Sequence, residues 1–248
     1  MGQAVAAALA TVSPDRRATS LQMMFLAGAR PELPLDYVVQ RLQDGKRVSS
    51  RYVWSSQGGV GVSAAFVSAH VPAHGRRQRA MPAIASKPGE GVRPADFPPA
   101  LRARLAVSGF MAMDPNPNIE YRFVDPGQLE GTRPRPLHMW MRLRDPLPPD
   151  PHVQAAALAY LSDWWLGFTG IAPHIEDEKE GFYLASLNHT LWFHAPCLTN
   201  DWLLCENESP WANEGRGLSR GHIYSADGVL VASVAQDCLQ ARRSASTL

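Results

Sequence analysis

The chain has 248 residues, room for one large domain or two small ones and for a sizeable core. Lys and Arg number 24 against 23 Asp and Glu, and charged residues make up only 19%, which argues against nucleic acid or an anionic membrane as the main partner. Apolar residues at 45% exclude wholesale disorder, no run of about 18 apolar residues offers a membrane span, and the N-terminus lacks the basic flank of a secretory signal.

From the N-terminus, Ala6-Ala7-Ala8-Leu9-Ala10, followed by Ser13, predicts an Ala-rich helix with strands after it. A Pro-rich stretch comes next: 13 of the 21 prolines lie between Pro82 and Pro149. It reads as a connector wrapped over the surface, with a short helix near Pro99 to Ala106. Within its second half, Ile119 to Val124 and Leu137 to Arg144 read as strands. Val153 to Trp165 is apolar all round, as a helix buried by its partners should be. Four strands are predicted beyond it, over Phe182 to Phe193, Trp202 to Glu208, Gly217 to Tyr224 and Val229 to Val234, the last two joined at Ala226-Asp227-Gly228.

The two ends of the chain repeat each other. Ala155-Ala156-Ala157-Leu158-Ala159 and Ser162 answer the first helix, Ser186-Leu187 answers Ser20-Leu21, and Asp201-Trp202-Leu203-Leu204 answers Asp36-Tyr37-Val38-Val39. A gapless register then sets Arg51 to Ser68 against Arg220 to Asp237, with Arg51/Arg220, Ser56/Ser225, Gly59/Gly228, Val60/Val229 and Val62/Val231 identical. Collinear matches of this kind mark an internal duplication. Antiparallel strands curled around one apolar helix describe a hot-dog fold, so the expected architecture is an α+β double hot dog. Residues 1–80 form the first repeat, 81–118 a linker and 119–248 the second repeat. The first repeat begins at its helix and lacks the two leading strands of the second, which leaves apolar surface and predicts a homo-oligomer.

The segments S-L-N-H-T-L-W-F-H-A-P (186 to 196), D-W-L-L-C-E-N-E-S-P-W-A (201 to 212), G-R-G-L (215 to 218) and D-G-V-L-V-A-S-V-A-Q (227 to 236) resemble the acyl-CoA thioesterase II family, most closely its peroxisomal branch. Met81-Pro82, Ile119-Glu120, Trp140-x-Arg142 and Gly45 to Arg51 extend the likeness over nearly the whole chain. The resemblance implies hydrolysis of acyl-CoA to free acid and coenzyme A, with catalytic residues at Asp163, Ser186 and Gln236 and no cofactor. The first repeat has Pro14, Ser20 and Val67 at these places, which implies one site per chain. Asn188 stands where the family has Asp, and Thr19 and Gln22 stand where it has two histidines.

Thioester hydrolysis needs a water aimed at the carbonyl carbon, a base for its proton and donors for the oxyanion. Asp163 suits the base: a helix C-terminus disfavours an anion, and Trp164 and Trp165 would desolvate it, both of which make the carboxylate a better proton acceptor. Ser186 and Gln236 each offer a donor and an acceptor to orient water. Two rivals stay open, a thioesterase of a specialised biosynthetic pathway and a non-catalytic acyl-CoA-binding homologue.

Other patterns carry less. Gly217-Leu218-Ser219-Arg220-Gly221 fits G-x-S-x-G, but a nucleophile elbow needs a helix after it and here a strand follows. Pro72 breaks any helix that would align His70 with His74, and His189 and His194 fall on opposite sides of a strand, so no metal site is expected. Cys197, Cys205 and Cys238 make no C-x-x-C pair and read as buried, inert thiols. Arg76-Arg77-Gln78-Arg79 reads as a solvated loop rather than a coenzyme A phosphate site. The chain ends on Ser246-Thr247-Leu248, a loose variant of a peroxisomal address, so peroxisome and cytoplasm are both open.

Overall fold

The computed structural model describes residues 1–73, 86–107, 116–130, 135–177 and 182–242. The Met81-Pro82 motif, the arginine run at 76–79, His74 and the 246–248 terminus lie outside them. The first part of the chain forms α1 (Gly2–Leu9), β1 (Arg17–Phe25), β2 (Asp36–Asp44), β3 (Val48–Gln57) and β4 (Val60–His70). After it come α2 (Pro99–Val107), β5 (Ile119–Phe123), β6 (Leu137–Leu143), α3 (Pro151–Leu161), β7 (Phe182–Ser186), β8 (Asn188–Phe193), β9 (Leu203–Asn213), β10 (Arg216–Ser225) and β11 (Leu230–Arg242). Among the described residues no helix is long and apolar enough to cross a membrane.

The strands join in one antiparallel sheet, ordered β2-β3-β4-β1-β8-β11-β10-β9-β6-β5, with β7 pairing the far part of β11. The order reads outward from the β1/β8 seam as two matching arms. On one side lie β4, β3 and β2; on the other lie β11, β10 and β9, followed by β6 and β5. Strands matching β6 and β5 are absent from the first arm among the described residues, and β2 forms its edge with Val38 and Leu42 exposed.

The two Ala-rich helices lie together. A Cβ added at Gly2 would come within 2.7 Å of the Ala156 carbonyl oxygen, so the backbones of α1 and α3 nearly touch there. Their buried residues, Ala4, Val5, Ala8 and Leu9 on α1 and Ala157, Leu158, Ala159 and Leu161 on α3, join Leu21, Val67, Leu191 and Val231 in a single apolar core. Each Leu or Val so buried contributes about 1.5–3 kcal/mol. Residues 94–107 are no surface strap, as the Pro content had suggested. Phe97, Leu101 and Leu105 are buried in the same core, and the Phe97 ring stands edge-on to Phe123 at 5.2 Å.

The duplication is visible with one shift. Arg51 pairs with Val67, whose aligned residue Gln236 pairs with Ser219 rather than Arg220. Gln57 and Val60 close the first hairpin, whereas Ser225 donates its position to a turn closed by Val229, one residue longer. The gapless register therefore holds beyond the turn and fails before it. A one-residue slip reverses the facing of every side chain on a strand. Arg51 accordingly points inward, 1% exposed, donating to the Thr11 carbonyl and hydroxyl, the Gln43 and Ser50 carbonyls and Asp44. Arg220 points outward to Glu208.

Candidate active site

Asp150 caps α3 by accepting from the His152 and Val153 amides, with Pro151 preset in the first turn. The helix ends at Leu161, four residues before the predicted Trp165. Trp165 adopts φ 63°, the left-handed region that a helix terminus usually gives to Gly. Its indole is held in the core against Phe123 at 4.9 Å and Phe168 at 5.0 Å, and such packing sustains an unfavourable backbone conformation. Asp163 sits in the turn so formed, its side chain 42% exposed. The full desolvation expected from Trp164 and Trp165 is thus not realised; Trp165 turns into the core instead.

The predicted strand from Phe182 to Phe193 is broken at Leu187. β7 pairs with β11 as Ser186↔Cys238, and β8 as Thr190↔Ala235, so the two halves differ by one residue in register. This is a bulge, and it has a chemical result. Ser186 and His189 are three apart and would face opposite sides of a regular strand. The extra residue brings both to Gln236.

Gln236 on β11 is 2% exposed, and its amide is engaged at both ends. Its Nε2 donates to Ser186 Oγ at 2.6 Å and to Cys238 Sγ at 3.3 Å, while its Oε1 lies 2.6 Å from His189 Nδ1. His189 is fully buried, with its Nε2 2.9 Å from the Ser162 hydroxyl and its Nδ1 3.9 Å from Asp163 Oδ1. Burial pushes this imidazole below the ordinary histidine range, while Asp163 and the Gln236 hydrogen bond pull the other way. Burial likewise raises the Cys238 thiol to about 11, so it acts as a packed neutral group. Gly167 opens the 3-10 turn Gly167–Gly170 beside these residues. A Cβ there would lie 2.9 Å from Cys238 Sγ and 3.5 Å from Gln236 Nε2.

The chain matches the acyl-CoA thioesterase N-terminal domain over residues 1–71 and the acyl-CoA thioesterase C-terminal domain over residues 89–240. The chain belongs to the acyl-CoA thioesterase II family. Human acyl-coenzyme A thioesterase 8 is 33% identical over 253 residues, spanning 96% of this chain and 77% of that protein. The crystal structure of an acyl-CoA thioesterase II from Mycobacterium marinum superposes with a TM-score of 0.81 at 28% identity, covering 100% of this chain and 89% of that one. A hot-dog protein of unknown function from Alicyclobacillus acidocaldarius, 20% identical over 98% of this chain and 87% of its own, shares the fold with a TM-score of 0.70. The double hot-dog architecture read from the duplication is therefore that of the family.

Within this thioesterase fold the structure brings Ser186 and Gln236 into direct contact and sets Asp163 beside the His189 ring. Sequence reasoning missed His189 and Ser162 as members of the network. The signal was present in S-L-N-H, but Asn188 drew the reading, and in the structure its Oδ1 accepts from the Asp237 amide at 3.2 Å. The first arm cannot repeat the arrangement, since Val67 is buried where Gln236 would stand. Ser219 of the G-x-S-x-G pattern is buried in mid-β10, and its hydroxyl has no hydrogen-bond partner among the described residues. A hollow of about 510 Å³ between Pro88, Cys197, Trp202 and Ser225 includes none of the site residues. Among the described residues no cluster of three or more His, Cys, Asp or Glu is arranged to hold a metal.

Proposed function

We propose that the chain hydrolyses acyl-CoA to a free acid and coenzyme A at the site of Asp163, Ser186 and Gln236. The observation that carries this reading is the buried Gln236 amide, hydrogen-bonded to Ser186 and set against His189 beside the Asp163 carboxylate. Asp163 takes a proton from a water molecule as its oxygen attacks the thioester carbonyl carbon. Collapse of the tetrahedral adduct breaks the carbon–sulfur bond, and the departing thiolate recovers that proton. Both ends of the Gln236 amide are occupied, so Gln236 acts on the water through Ser186.

Removing the proton acceptor tests the assignment. Asp163→Asn should lower hydrolysis by roughly two to four orders of magnitude in a folded protein; wild-type turnover would refute it. Activity on carrier-bound or specialised thioesters in place of acyl-CoA would favour the biosynthetic alternative, and acyl-CoA binding without turnover the non-catalytic one.

The two-repeat division at 1–80, 81–118 and 119–248 belongs to the same proposal, as does self-association. Met24, Phe66 and Trp192 are exposed on one face of the sheet across the β1/β8 seam, which supports a homo-oligomer. A monomer at high concentration in light scattering would count against it.

A further inference from the structure

A buried glutamine amide presents a donor at one end and an acceptor at the other, and its neighbours decide which way it points. Around Gln236 the count of protons allows two closed arrangements. In the first, neutral His189 carries its proton on Nδ1 and donates it to Gln236 Oε1 over 2.6 Å. Its Nε2 then accepts from the Ser162 hydroxyl over 2.9 Å, and the Gln236 NH2 group faces Ser186 Oγ and Cys238 Sγ. In the second, the His189 proton is on Nε2 and is donated to Ser162, whose hydroxyl turns to the Ala159 carbonyl at 3.0 Å. Nδ1 is now an acceptor, so the amide must reverse to offer it an N–H. Gln236 Oε1 then faces Ser186 and takes the serine's only hydroxyl proton.

The two arrangements differ in what Ser186 can do. When Gln236 donates, the Ser186 O–H is not taken by the amide and can turn from its weak contact with the Cys238 thiol to a water or to the carbonyl oxygen that gains charge. When Gln236 accepts, that proton is spent inside the protein. The carboxylate of Asp163, 3.9 Å from Nδ1, favours a proton on that nitrogen and so selects the first arrangement.

We infer that His189 is a positioning residue: its Nδ1–H fixes the Gln236 amide with its NH2 toward Ser186, keeping the Ser186 hydroxyl proton available to the reaction. The inference rests on the site assignment above, and it assigns the second task of Asp163 as well, setting the tautomer of a histidine that never meets substrate.

The wild-type chain can be tested directly by nitrogen NMR with 15N-labelled histidine, the His189 ring being assigned through its own backbone and side-chain connectivities. A protonated, pyrrole-like Nδ1 and an unprotonated, pyridine-like Nε2 are expected; the opposite tautomer overturns the inference. Two variants then separate the ring nitrogens. His189→Asn puts an amide where Nδ1 stands and can still donate to Gln236, whereas His189→Gln puts it where Nε2 stands and keeps only the Ser162 contact. His189→Gln should lose about 10- to 100-fold in kcat with little change in KM, the worth of one aligned hydrogen bond in the transition state, and His189→Asn should recover most of it. A purely structural histidine predicts equal losses in the two variants, tracking their melting temperatures, and that result rejects the inference. Asp163→Asn measured alongside keeps the questions apart. If it is inactive while the two His189 variants match, only the role of His189 falls; if it is fully active, the site assignment falls. If neither His189 variant folds, the tautomer in the wild-type chain decides.

Discussion

Replacing Gln236 by Leu keeps the approximate volume on β11 and removes every hydrogen bond of the amide. His189 is fully buried, so its Nδ1–H is left without an acceptor, at a cost of about 1–3 kcal/mol. Ser186 is only half-buried and can turn to water, which adds roughly 1 kcal/mol at most, and the thiol of Cys238 loses a weak contact. Together these give about 1–4 kcal/mol, and at about 2–4 °C per kcal/mol for a chain of this size the melting temperature should fall by roughly 2–16 °C. The kinetic loss is separate: Ser186 is no longer aimed, and kcat should drop about 10- to 100-fold. Release of coenzyme A can be followed with a chromogenic thiol reagent, and melting by circular dichroism on the same sample. A Gln236→Leu protein with wild-type melting and wild-type kcat would refute the view that this amide is the strut between Ser186 and His189.

Gly167→Ala places a methyl group 2.9 Å from Cys238 Sγ, and the required shift should cost about 1–3 kcal/mol and reduce kcat, as read by melting and steady-state kinetics. Ser219→Ala removes a buried hydroxyl that has no partner among the described residues, so stability should hold or rise and hydrolysis should be unchanged; abolished turnover would revive the nucleophile-elbow reading. His189 and His138 are both pushed below the ordinary histidine range, in each case chiefly by burial. The unfolded chain therefore takes up protons first as the pH falls. Stability should be full above about pH 6.5 and decline between there and about pH 5, before the carboxylates protonate. A melting temperature that stays flat or rises over that interval would contradict the burial of these rings.

Much of the fold could be read from composition and pattern because it rests on local signals. The two Ala-rich helices, the Asp-Gly hairpin and the position of β5 and β6 all follow from periodicity and turn chemistry. What escaped is set by tertiary contacts. The end of α3 depends on Trp165 accepting a left-handed backbone so that its ring can reach Phe123, which no propensity for Trp encodes. The break at Leu187 arises because β8 pairs with β1 as well as β11, a long-range contact invisible in an apolar run. Phe97, Leu101 and Leu105 were hidden by the prolines around them, since loop composition says little about a single helix docked into the core. At the proposed site, Asp163, Ser186 and Gln236 are nominated by family resemblance. The place of His189 is not, because the bulge that turns it toward Gln236 has no sequence mark.

The seam between β1 and β8 gives the half without a site a duty of its own. Met23 lies opposite His189 across that seam, so the strand carrying the histidine is clamped between the two arms of the sheet. Cutting the chain at the linker and keeping only the second half would expose the backbone donors and acceptors of β8 along a raw margin, open to pairing with any passing strand. On the proposed site assignment the first half of the chain is a scaffold that the second cannot discard: it carries neither the glutamine nor the carboxylate of the site, yet the strand that bears His189 is held against it.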